Sequence, residues 1–130
     1  MLVVPAGTHA LATAQNTLVL IASDGPPPYR PSADLLLTSL AVTAGSRVIA
    51  VVLSGGGTDG ATGAVAVHDL GGTVIAADRA SSTVFGMAAA AIGCDDAVNH
   101  VLPVDEIPRL LADLIPAVGA SHTEAVAPVL

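Results

Sequence analysis

Apolar residues fall along the chain in short runs, punctuated by glycine and proline. Leu2-Val3-Val4 is stopped at Pro5-Ala6-Gly7, a turn signal. Thr17 to Ala22 (TLVLIA) predicts a strand. Asp24-Gly25-Pro26-Pro27-Pro28 predicts a loop, because consecutive prolines fix φ and remove backbone donors. Pro31-Ser32 opens a helix running through Asp34, Leu35, Leu36, Ser39, Leu40 and Val42. Leu36, Leu40 and Thr43 share one face of it at i, i+4, i+7, and Gly45 ends it. Val48 to Leu53 (VIAVVL) is the clearest strand, apolar on both faces as buried parallel strands are, and is expected at the centre of the sheet. After a glycine-rich loop at 55–60, Ala61 to Leu70 predicts a helix closed by Gly71-Gly72. Thr73 to Ala76 predicts a strand, Val84 to Ile92 a helix and Ala97 to Leu102 a strand. Beyond Pro103, the spacing of Ile107, Leu110, Leu111 and Leu114 predicts an amphipathic helix.

Alternation of strand, loop and helix from Val48 onward predicts an α/β fold, with a mainly parallel sheet and helical crossovers. The part before Ser32 reads instead as a hairpin or strand pair. The 130 residues suit one domain. We place it at residues 1–115 and read 116–130, which has no clear period, as a loose tail. Aromatic residues make up only 2% of the chain, Tyr29 and Phe85, so the core must be built from Val, Leu, Ile and Ala.

The formal net charge of −7, with four arginines, no lysine and eleven acids, repels a phosphate backbone and argues against nucleic-acid binding. Cys94 is the only cysteine, so no intramolecular disulfide and no cysteine zinc site are expected. No signal peptide is read, and no apolar stretch approaches the about 20 residues that span a bilayer. A cytoplasmic protein without membrane insertion is expected.

Ser54-Gly55-Gly56-Gly57-Thr58-Asp59-Gly60 carries the candidate chemistry. It follows the best strand and precedes a helix, at the edge where open α/β sheets bind ligands. Three readings fit the residues. Gly55-x-Gly57-x-x-Gly60, with Asp78 after the next strand, matches a dinucleotide fingerprint of the NAD type. Against it, Asp59 lies where phosphates would pass. Asp59 could instead be a hydrolase acid that orients a histidine, with loop amides facing an oxyanion. It could also simply cap the following helix. Ser54, Ser81 and Ser82 lie in loops without a nucleophile elbow. His68, His100 and His122 take no role. Asp78, Asp95 and Asp96 lack a calcium-loop spacing and read as turn caps. Arg30 is a candidate carboxylate ligand through its planar fork.

Three blocks carry a family resemblance: Asp24-Gly25-Pro26-Pro27 with Arg30-Pro31-Ser32-x-Asp34-x-Leu36; VVLSGGGTDGATGAVAVHDLGG; and Ala80-Ser81-Ser82-Thr83-Val84-Phe85-Gly86-Met87 followed by Ala91-Ile92. In order and spacing they resemble CheB-type chemotaxis protein-glutamate methylesterases over about residues 2–114. The resemblance implies a doubly wound α/β domain with helices on both faces, here truncated. It implies hydrolysis of glutamate γ-methyl esters on methyl-accepting chemoreceptors, glutamine deamidation, and no cofactor. Asp59 matches the family's triad aspartate, and the Gly55–Gly57 loop its oxyanion segment, with Gly56 where relatives often carry Met. The family's serine and triad histidine lie in segments that precede residue 1, and His9 matches a non-triad histidine. Ala88-Ala89-Ala90 replaces a Pro-Arg-Glu of the family. The chain is therefore expected to be a partial catalytic domain, inactive alone and prone to self-association. A nucleotide-binding module and a non-catalytic interaction remnant are the alternatives.

Overall fold

A computed structural model describes residues 1–23 and 31–115. The sequence alternates as expected, and the elements assemble into two sheets. Strands β1 (Thr8–Ala12) and β2 (Leu18–Ala22) form an antiparallel hairpin, with Thr8 opposite Ala22. Leu2 and Val3 stay exposed, and it is Thr8–Ala12 that pairs with the second strand. Next come helix α1 (Ala33–Ala44) and strand β3 (Ile49–Val52). Helix α2 (Ala61–Asp69) leads to strand β4 (Thr73–Ala77), and helix α3 (Gly86–Ile92) to strand β5 (His100–Leu102). Helix α4 (Ile107–Leu114) closes the described part. The tail at 116–130 lies outside the described residues.

Strands β3, β4 and β5 form a parallel sheet in that order. Sequence patterning had placed Val48–Leu53 at the centre, but β4 holds it. The reason lies in β4: Val74 to Ala77 are all fully buried, so both its faces are covered, whereas β3 alternates and Leu53 is 48% exposed.

Register sorts the side chains into two layers. Ala50 and Val52 of β3 stand beside Val74 and Ala76 of β4, and pack with Ala41, Ala64, Val67, Ala88 and Ala91 of α1, α2 and α3. Ile75 and Ala77 point the other way, onto Ile107, Leu110, Leu111 and Leu114 of α4. All four predicted apolar positions of α4 therefore meet the sheet. Helices cover both faces of the sheet, three on one side and α4 on the other.

Helix α1 turns a different face to the core from the one its spacing suggested. Leu37, Leu40, Ala41 and Ala44 pack inward, whereas the Thr43 hydroxyl donates back to the Ser39 carbonyl at 2.8 Å. Among the described residues the buried apolar set holds Ala, Val and Ile but no Leu, and ten of its sixteen members are alanines. Leucines ring that set. Alanine at the contacts lets helix and sheet backbones approach closely.

Candidate functional site

Ser54 to Gly60 leaves the carboxyl end of β3 and turns into α2. The loop is pinned from the α3 side. The Gly55 amide donates to the Val84 carbonyl at 2.9 Å, and the Gly55 carbonyl accepts from the Met87 amide at 2.9 Å. The Ser54 hydroxyl donates to the Val84 carbonyl at 3.2 Å and accepts from the Val84 amide at 2.9 Å. It is committed to the loop's architecture rather than free for attack. Gly57 and Gly60 have φ of +83° and +102°, a region that glycine enters without Cβ strain. Nothing lies within 4 Å of a Cβ built on Gly56, so a side chain fits there. No described residue accepts from the amides of Gly56 or Gly57, and both residues are exposed.

Asp59 is the one buried charged residue among those described, 6% exposed. Its Oδ2 accepts from the Ala33 amide at 2.6 Å; its Oδ1 accepts from the Asp34 amide at 3.0 Å and the Ser32 hydroxyl at 3.1 Å. It does cap a helix, but not the one that follows it: its donors belong to the first turn of α1. Ser32, the local cap of α1, completes that turn by accepting from the Leu35 amide at 3.4 Å. Helix α2 is capped in return from α1, since Asp34 Oδ1 accepts from the amides of Gly60 at 2.9 Å and Gly63 at 2.7 Å. Each helix start thus holds the carboxylate that closes the other. Charge-assisted bonds and the positive ends of the two helices make both ionised carboxylates tolerable there.

A carboxylate offers about four lone-pair sites. Three donors reach Asp59, leaving one site on Oδ2 for a further donor. No described histidine fills it. His9 is drawn into the same cluster, but its Nδ1 accepts from the Ser32 amide at 3.1 Å. Serine, histidine and aspartate therefore meet without forming a relay, because the Ser32 proton goes to Asp59 and not to an imidazole. The sequence places Ser32 at the helix start and Asp34 within that helix, but not their bonds to Asp59 and to the start of α2. A Ser-x-Asp at a helix start was the available signal.

The dinucleotide reading fails on the same geometry. A pyrophosphate would need the first-turn amides of α2, and the Asp34 carboxylate holds two of them. Asp78, the would-be ribose acid, is also engaged. Its carboxylate accepts from the Ser81 hydroxyl at 2.6 Å and the Ser81 amide at 2.9 Å, and these bonds hold its pKa below the ordinary 3.8. Ser81 Oγ also accepts from the Val104 amide, and Ser82 Oγ donates to the Asp78 carbonyl. Arg30 and His122 lie outside the described residues. His68 is exposed on α2, and His100 is half-buried at the start of β5. Among the described residues no three His, Cys, Asp or Glu side chains group as metal ligands, and no helix is long and apolar enough to cross a membrane.

A parallel sheet covered on both faces, with a glycine loop and a buried acid at its carboxyl edge, defines an α/β domain of the kind that meets its ligand at that edge. The chain belongs to the CheB methylesterase family, whose model matches residues 1–111. It is 47% identical over 116 residues to protein-glutamate methylesterase/protein-glutamine glutaminase 2 of Anaeromyxobacter dehalogenans, covering 88% of this chain and 33% of that protein. It is 41% identical to protein-glutamate methylesterase FrzG of Myxococcus xanthus, covering 81% of this chain and 31% of that one. The crystal structure of the Thermotoga maritima CheB methylesterase catalytic domain superposes with a TM-score of 0.76 at 36% identity, over 85% of this chain and 60% of that domain. The chain thus spans about a third of the length of these two curated relatives.

Proposed function

We propose that this chain carries the acid and oxyanion portion of a protein-glutamate methylesterase site. The observation that supports it most directly is Asp59: buried, held by three described donors with one lone-pair site left open among them, in the same loop whose Gly56 and Gly57 amides no described residue accepts from. In this reading Asp59 accepts an N–H from a catalytic imidazole, holds it in one tautomer and stabilises its protonated form. The Gly56 amide, with Gly57 next to it, faces the oxyanion that forms when the glutamate γ-ester carbonyl is attacked. A serine nucleophile and its histidine complete the site; neither is assembled from the described residues. Methylated chemoreceptors or similar methylated proteins are the substrates in this reading, and a cytoplasmic location goes with it.

A transplant tests the proposal. Residues 1–115 replace the corresponding stretch of the Thermotoga maritima catalytic domain, and methanol release from a methylated receptor fragment is followed. The chimera is expected to turn over, and Asp59→Asn to lower kcat by roughly 10³- to 10⁴-fold. The chain by itself is expected to release no methanol. A folded but inactive chimera, or one indifferent to Asp59→Asn, would sink the proposal.

A further inference from the structure

We infer that Asp34 is a positioning residue, acting on the site through Asp59 and the glycine loop; this rests on the role proposed for Asp59. Asp34 meets Asp59 twice. Its own amide donates to Asp59 Oδ1 at 3.0 Å. Its carboxylate holds the Gly60 amide at 2.9 Å and the Gly63 amide at 2.7 Å. Gly60 follows Asp59 directly and has a φ of +102°, the turn that separates the loop from α2. Fixing the Gly60 amide from the far side fixes the peptide that carries Asp59 and limits where its open lone pair can point. No described arginine or histidine forms an ion pair with either carboxylate, and His9, the imidazole drawn into the cluster, bonds the Ser32 amide. Backbone amides and the Ser32 hydroxyl set the geometry, so moving one acid moves donors of the other. The competing account is narrower: Asp34 serves only as the cap of α2, and Asp59 keeps its place without it.

Amide hydrogen exchange on the full chain separates the two, with the β4 amides as a control for the fold. In Asp34→Ala, exchange at Gly60 and Gly63 should speed by roughly tenfold to a hundredfold, the loss of a hydrogen bond to a charged group. The Ala33 amide, which donates to Asp59 and not to Asp34, should lose protection alongside them. Asp34→Asn keeps an acceptor oxygen in place and should restore all three. If Ala33 in Asp34→Ala stays as protected as in the wild type, Asp34 is a cap only and the inference is overturned. A folded Asp34→Asn that fails to restore Ala33 overturns it too. Where Asp34→Ala does not fold, Asp34→Glu decides in its place, because the longer side chain carries the carboxylate away from the Gly60 and Gly63 amides. The Ala33 amide should then exchange faster together with those two, and an Ala33 amide as protected as in the wild type overturns the inference. None of these readouts involves turnover, so failure of the methylesterase proposal in the chimera remains distinguishable from failure here.

Discussion

Gly63 marks how closely α1 and α2 approach. A Cβ built there falls 2.6 Å from Leu37 Cβ and 3.2 Å from Asp34 Cα, backbone that has nowhere to go. Gly63→Ala gains helix propensity worth about 1 kcal/mol, but overpacking of this kind costs about 1–3 kcal/mol. The variant is expected to be less stable, with an earlier urea midpoint. A midpoint at or above the wild type's would mean that the helices can part freely. The same crossing explains what could be read of the site beforehand. Asp59 was legible as a residue of consequence because it sits among glycines after a strong strand. Its helix was not legible. An acid just ahead of a helix reads as the cap of that helix, and only the packing of α1 on α2 shows that Asp59 closes a turn 26 residues earlier.

Elements with a strong apolar period were legible and weakly patterned ones were not. Helix α4 has one apolar stripe and buries it as spaced. Helix α1 is apolar nearly all round, so spacing alone could not choose between the Leu36 and Leu37 faces, and contact with α2 and the sheet decided it. Strand β1 mixes Thr, His, Ala and Leu, and only its pairing with β2 defines it. Connections matter as well. The turn after β4 is tied by Asp78 and Ser81, and Ser81 reaches on to Val104 just ahead of α4. Hydrogen bonds from the Ser81 hydroxyl, then from its amide, depress the Asp78 pKa, so ionised Asp78 stabilises the fold above its unfolded pKa. That contribution is lost as pH falls through the lowered folded value. Asp78→Ala is therefore expected to lower the denaturation midpoint at neutral pH, and the gap to the wild type should narrow below pH 3.8. A gap that stays constant with pH would show that the ionised carboxylate is not the stabilising group.

Across the molecule, the parallel sheet and the glycine loop's place at its carboxyl edge followed from the alternation of runs, and the helices on both faces from the family resemblance. The central strand did not follow from it, because both β3 and β4 read as apolar and only coverage distinguishes them. Val19, Leu20 and Ile21 of β2 are 45%, 53% and 46% exposed in succession, and Leu2 and Val3 are exposed too. Consecutive apolar residues on a two-stranded hairpin leave apolar surface on both its sides. The isolated chain is expected to self-associate through this hairpin, its mass in sedimentation equilibrium rising with concentration and falling back in Leu20→Lys. A concentration-independent monomer mass would refute this. The exchanged carboxylates also set an order of events during synthesis. When α1 is polymerised, the acid that closes its first turn has not yet been added, and only Ser32 is present to hold the helix start. Helix α2 meets the opposite situation, since Asp34 already awaits Gly60 and Gly63 as they emerge. The earlier helix is thus a template for the later one and is itself completed by it, so the two should cross the folding barrier together.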